Sequence, residues 1–465
     1  MTAPAASERT WRRNLLPALL AATVGWFVPS PSDAAPRDPL GAESQNVIPP
    51  IPCDQGQIDH PLHLADAIQL SLCNNPQTRL QWAAARTAAA QLGTAQGGFI
   101  PSLSVSGSSS NNASQTGAAA TTRNSSRVIG LSASYLLYDF GAREAGIENA
   151  RQLLYAANAS RDASLQSVYL STVQAWYAVL SSRASVAAYQ AAATAAKTSL
   201  DAAIARYQSG SATPADRLQA QTALSQAELN LIQAEGTAAT AAGTLMNMMG
   251  YSAEHPFELA EQEEARPDAA SEQAVGELIA QARGKRPDLQ AADAQIKAAE
   301  AQLKAARAAN MPSFTLTAST SRSLPSNGPT TQSNSVGLAV SMPILNGLKN
   351  TYQIRAAEAQ LESRVADRQR VANQVALDVW KAYQALLTNS QALRTANDLQ
   401  DSAEQSERMT LGRYQAGLGN LLDVLNAQSA LASARQQRIT ALYNYQSSRF
   451  ALTQAIGELD LTQLP

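Results

Sequence analysis

The chain is 465 residues long, with 45% hydrophobic residues but only 5% aromatic and 15% charged. Much of the hydrophobic share is alanine, which forms helices well and fills cores poorly, so long close-packed helices are expected in place of one bulky globular core. A net charge of −2 gives no basic excess for nucleic-acid binding, and three histidines and two cysteines leave little material for metal or nucleophile chemistry.

Residues 1–34 read as an export signal. Arg9, Arg12 and Arg13 form a positive start, Asn14 to Val28 is mostly apolar but too short to span a bilayer, and Ser32-Asp33-Ala34 offers a small-x-small cleavage site. No cysteine follows that site closely, so a lipid-bearing mature N-terminus is not expected. Residues 35–61 form a proline-rich arm. Cys53 and Cys73 are the only cysteines, and in an oxidising periplasm a disulfide between them is expected. His60 and His63 lie nearby, but their spacing fits no zinc pattern, so no metal is expected. Nor is any cofactor, since neither a phosphate loop nor a dinucleotide fingerprint occurs.

From Leu62 onward the chain repeats itself, with the first unit over 62–250, a linker over 251–270, the second unit over 271–457 and a tail over 458–465. Ile100-Pro101-Ser102-Leu103 answers Met311-Pro312-Ser313-Phe314. Arg206-Tyr207-Gln208-Ser209-Gly210 answers Arg413-Tyr414-Gln415-Ala416-Gly417. Asp216-Arg217-Leu218 answers Asp423-Val424-Leu425. The period is about 207 residues, far longer than that of a solenoid.

Each unit predicts helix, strand, strand, long helix, turn, helix. The first helix of unit one ends at Pro101, and a period of two follows. Strands are expected near 102–110, 127–138, 313–323 and 335–344. Ile129, Leu131, Ala133 and Tyr135 alternate with Gly130, Ser132 and Ser134, and Val336, Leu338 and Val340 alternate with Ser335, Gly337 and Ala339. One greasy face and one small polar face is the pattern of a transmembrane barrel strand, although a half-buried strand of a soluble sheet alternates in the same way. The Ser-, Asn- and Gly-rich segments 111–126 and 324–334 read as exterior loops.

Ala142 to Tyr207 and Leu348 to Tyr414 then read as helices on the order of 100 Å long. A stripe of Tyr169, Val173, Trp176 and Leu180 answers Val375, Val379, Ala382 and Leu386 at coiled-coil spacing. Four strands alone in lipid would leave edge N–H and C=O groups unpaired, and closed barrels start at about eight strands, so two or more chains must share one barrel.

With these features in place the chain resembles the TolC-like outer-membrane channel family. The duplicated order, the Pro-Ser-Leu and Pro-Ser-Phe strand entries, Tyr138-Asp139-Phe140-Gly141 and the two Arg-Tyr-Gln-x-Gly turns carry the likeness. It implies an α+β membrane protein. Three chains would form a twelve-stranded transmembrane β-barrel, four strands per chain, continued by a long periplasmic α-helical barrel. It also implies a homotrimer in outer-membrane lipid that meets a periplasmic adaptor (membrane fusion) protein and an inner-membrane transporter, either ABC-type or proton-driven. In the family, two aspartates three residues apart narrow the periplasmic entrance. Here Asp423 matches the first and Asn426 stands at the second, so the resemblance implies three ring carboxylates per trimer. Tyr414 matches a gate tyrosine, Asp216 matches an acid on the neighbouring tip, and the family's arginine falls at Gly419.

The expected function is a passive, non-enzymatic outer-membrane duct of a tripartite export system, leaning to type I protein (toxin) secretion. The absent lipid-attachment cysteine and the cysteine pair prompt the lean. The outer-membrane component of a multidrug efflux pump is the alternative. A soluble periplasmic coiled-coil adaptor is a reading of another class, and it leaves the four two-faced strands unexplained.

Overall fold

The computed structural model describes residues 38–43, 61–115, 117, 121–260 and 274–459. The leader 1–34, most of the proline-rich arm including Cys53, part of the linker and the last residues of the tail lie outside them. The first repeat comprises α1 (Leu64–Asn74), α2 (Pro76–Gly97), β1 (Ser102–Ser114), β2 (Thr122–Tyr138), α3 (Ala142–Gln208) and α4 (Pro214–Met248). The second comprises α5 (Val275–Lys285), α6 (Pro287–Ala308), β3 (Ser313–Pro325), β4 (Thr331–Ser341), α7 (Lys349–Gln415) and α8 (Leu421–Ala455). No described helix is long and apolar enough to cross a membrane.

Local chemistry sets the boundaries. Asn75 caps α2 by accepting from the Gln77 N–H, with Pro76 at the first helical position, where its missing N–H costs nothing. Thr213 and Pro214 start α4 in the same way, and Asn420 caps α8. Gly210 and Gly417, at φ of 72° and 75°, turn the chain back after α3 and α7.

The four strands form one antiparallel sheet in the order β1-β2-β3-β4, so β1 and β4 are its open edges. The pairing reaches into the polar segments expected to be loops. Ser and Thr hydroxyls bridge strands there, as in Thr320 Oγ1 to Asn334 Oδ1 at 2.7 Å, and the backbone ladder continues beneath them. β4 stops at Ser341, two residues before Pro343, which has no N–H to give a ladder.

The cores are small and strung along the helices. Trp176, Val179, Leu245 and Met246 join Leu62 and Ala67 in one cluster. Val375 and Val379 meet Leu278, Ala282, Leu289 and Ile456 in its second-repeat counterpart. The 207-residue offset from Ala142 to Lys349 maps Val375, Val379 and Ala382 onto Val168, Thr172 and Ala175. The matching stripe on α3 therefore lies one residue before the one read from the sequence. Tyr169, Val173 and Trp176 are buried as well, because α3 is packed on more than one side by α1, α2, α4, α6 and α8.

Candidate functional site

The sheet carries two chemically opposite faces. Leu103, Ala133, Ala318 and Val336 stand in one continuous row across the four strands. The next row is Ser104, Ser132, Ser319 and Ser335, and within it Ser104–Ser132 and Ser319–Ser335 hydroxyl pairs close at 2.7 Å. Side chains alternate across a strand, so the first row and its companions Val105, Leu131, Leu316 and Leu338 share one face, and the serines share the other. Leu103, Val105, Val336 and Leu338 are exposed in the single chain. Arg127 and Arg322 interrupt the apolar face on the loop side, Arg127 paired with Leu324 and Arg322 with Ile129.

At the opposite end of the sheet, aromatic residues gather where strands pass into helices. Phe99, Tyr138, Phe140 and Tyr352 are exposed there, with the Tyr138 and Phe140 rings 4.8 Å apart. Arg143 ties the junction. Its Nε donates to Asp139 at 3.2 Å, its Nη1 to the Gly98 carbonyl at 3.2 Å, and its guanidinium lies 4.3 Å over Phe99. The tyrosines among them, apolar in the ring and polar at the tip, suit the level of a membrane–water boundary.

The far tips of the long helices hold the residues singled out for the entrance. Ala203, Ala220, Leu224, Tyr414, Leu421 and Val424 form a small buried cluster that fixes α3, α4, α7 and α8 together. Tyr414 belongs to this cluster and is 7% exposed. Arg206 covers its ring at 4.0 Å and donates from Nη2 to its carbonyl at 2.8 Å. Asp216 accepts from the Thr213 N–H and hydroxyl, each at 2.8 Å. Those bonds, the backbone one first, hold its carboxyl below the ordinary value and keep it charged. Asp423 is exposed in the first turn of α8, its N–H donating to Asn420 Oδ1 at 2.8 Å. Asn426, one turn on and also exposed, lines a groove shared with Gln219, Thr222, Leu422 and Leu425.

Within the chain the structure unites Tyr414 with Arg206. It joins neither Asp216 to Tyr414 nor Asp423 to Asp216 by any bond among the described residues. Arg206 is a neighbour that sequence reasoning leaves without a role; the doubled Arg-Tyr dipeptide is its signal in the chain. Cys73 is buried at the end of α1 and no described cysteine is free, while Cys53 lies outside the described residues. No described group of three or more His, Cys, Asp or Glu could hold a metal ion.

Known proteins resemble this chain in sequence and fold. The family model described as outer membrane efflux protein matches residues 67–251 and 278–458. Protein CyaE of Bordetella pertussis is 30% identical over 417 residues, covering 88% of this chain and 87% of its own length. The alkaline protease secretion protein AprF of Pseudomonas aeruginosa is 26% identical over 270 residues, covering 56% of this chain and 55% of its own. The solved structure of the CmeC outer membrane channel of Campylobacter jejuni superposes with a TM-score of 0.73 at 19% identity, over 86% of this chain and 87% of that one.

Proposed function

The chain belongs to the outer membrane efflux protein family, a channel of the outer membrane that extends into the periplasm, and from that premise we propose that three copies form a passive exit duct for an exported protein. The observation that carries the reading is the two-faced sheet with both edges open. The apolar face belongs in lipid and the serine face against water, and the unpaired edges of β1 and β4 can be satisfied only by further chains. Three chains of four strands close a barrel of about twelve, within the range of known barrels. The long helices then continue the conduit through the periplasm.

Energy comes from an inner-membrane transporter, reached through a periplasmic adaptor; the duct itself does no catalysis. In this reading Asp423 supplies one carboxylate per chain to a ring at the entrance, with Asn426 as its neutral second layer. Asp216 and Tyr414 sit behind that ring. A narrow mouth of low dielectric focuses the field of such a ring and favours cations. A Cys53–Cys73 disulfide pins the proline-rich arm to α1.

The lean toward type I protein secretion draws on the relative named for alkaline protease secretion. A second reading, drug efflux with a proton-driven transporter, draws on the family's description as efflux proteins. Comparing the culture medium and drug susceptibility of a parent and a deletion strain separates the two. Loss of one large protein from the medium at unchanged susceptibility is the expected result. An unchanged medium with drug-sensitive cells would establish efflux instead.

A further inference from the structure

α3 and α7 are equally long, 67 residues each, yet twenty residues of α3 are buried and only eight of α7. The difference lies in their neighbours. α3 packs on its own repeat and also on α6 and α8 of the second, whereas α7 packs chiefly on α5, α6 and α8 of its own. One face of α7 lacks the partner that its twin has.

At the tip this cross-repeat contact has two fixed points. Arg206 clamps Tyr414 from above the ring and at the carbonyl, and Ser199 Oγ donates to Gln428 Oε1 at 3.2 Å. Moving each residue by the 207-position repeat converts Arg206 to Arg413, Tyr414 to Tyr207, Ser199 to Ser406 and Gln428 to Gln221. All four residue types are kept, yet none of these four makes the equivalent contact. Arg413, Ser406 and Gln221 are exposed and have no side-chain partner among the described residues. Tyr207 is 41% exposed against the 7% of Tyr414, and among the described residues the cation over its ring is Arg217, at 5.7 Å. Its carbonyl accepts N–H groups of its own turn and, among the described residues, no arginine. Leu218 is the counterpart of Leu425, which packs against the tip cluster, and is 58% exposed.

A two-fold relation between the repeats would let Arg413 reach Tyr207 of its own chain. It does not, so the repeats are related head to tail, and such a relation continues from one copy to the next until it closes. The sheet obeys the same sense: β2 pairs with β3, leaving β4 to meet a further β1.

Building on the trimer reading, we infer that Arg413 of one protomer clamps Tyr207 of the next, and that Ser406 hydrogen-bonds Gln221 of the next. The entrance is then belted by alternating Arg–Tyr clamps, three inside the chains and three between them. The face that α7 leaves open is covered by α4 of the neighbour.

A short bis-maleimide applied to the full chain in detergent tests this. With Ser406→Cys and Gln221→Cys together, covalent dimers and trimers are expected on a denaturing gel. Ser199→Cys with Gln428→Cys should give only an internal link, and the parent chain is the blank. Light scattering on the same samples reports the oligomer. A trimer without interchain links, while the internal pair reacts, overturns this inference and leaves the trimer standing; a monomer overturns both. The clamp itself is tested by the temperature at which the trimer dissociates in detergent. Arg413→Ala and Tyr207→Ala should each lower it, and the double variant should lower it no further than the larger single effect. Additive losses would overturn the clamp. Should Arg413→Ala fail to assemble at all, the bis-maleimide pair decides alone.

Discussion

Asp423 owes its position to the cap beside it. Asn420 fixes the first turn of α8, and the exposed carboxylate stands there next to the positive end of the helix. Asp423→Ala is therefore expected to reduce cation selectivity in single-channel recordings without disturbing the fold, and unchanged selectivity would remove the residue from the entrance ring. Other single positions record the duplication. Where β2 passes into α3, Phe140 and Gly141 both adopt positive φ, at 54° and 88°; where β4 is followed by α7, Gly347 and Leu348 do so at 65° and 64°. Each junction keeps one glycine, but at opposite places of the pair. The same turn is thus encoded twice, and each copy leaves one bulky residue in a conformation that glycine would hold more cheaply.

At the scale of the element, the strands answer to two solvents at once. Leu338 stands on the apolar face beside Leu316, and Ser335 stands on the serine row against Ser319. Leu338→Arg should destabilise the assembled barrel by about 2–4 kcal/mol, the usual cost of a cation facing mid-bilayer lipid. Ser335→Arg should leave stability nearly unchanged and lower conductance through the added charge in the lumen. Urea-induced unfolding in lipid vesicles and single-channel recordings measure the two effects, and a reversal of the two outcomes would turn the sheet inside out. The helices are built differently. α6 presents Ala291, Ala292, Ala294, Ala298, Ala299 and Ala301 as buried surface, so α3 can approach closely and little bulk is needed. Ion pairs such as Arg368–Asp293 and Arg307–Glu358 lace its other side to α7. They are well exposed, so they set register more than they add stability.

At the scale of the molecule, length is the main consequence. Helices of 67 residues cannot fold back into a globule without a break, and α3 and α7 have none. A helix of that length spans about 100 Å, and the tilted strands add some 30–40 Å, so the purified particle should measure on the order of 130 Å along its axis. Negative-stain microscopy reads this directly, and a compact particle half as long would contradict the continuous duct. The small clusters strung along the helices are the packing counterpart of this shape.

Periodicity alone determined the order of elements, the two faces of the strands and the need for further chains, because side-chain alternation and the demand for paired backbone groups act locally or apply to any sheet in lipid. The doubled motifs likewise make the internal repeat legible in the sequence itself. What the sequence could not decide was which copy of a repeated motif is used. Arg206 and Arg413 stand in matching words, yet only Arg206 finds its tyrosine within the chain. Tyr414, matched to the entrance by resemblance, is held in the tip cluster beneath that arginine, a contact that no local pattern announces. The buried stripe of α3 also widened by a residue on each turn, because α3 lies between both repeats and α7 stands at the chain's edge. Such differences come from neighbours distant in sequence, so two nearly identical segments acquire different surroundings only when the helices are packed side by side.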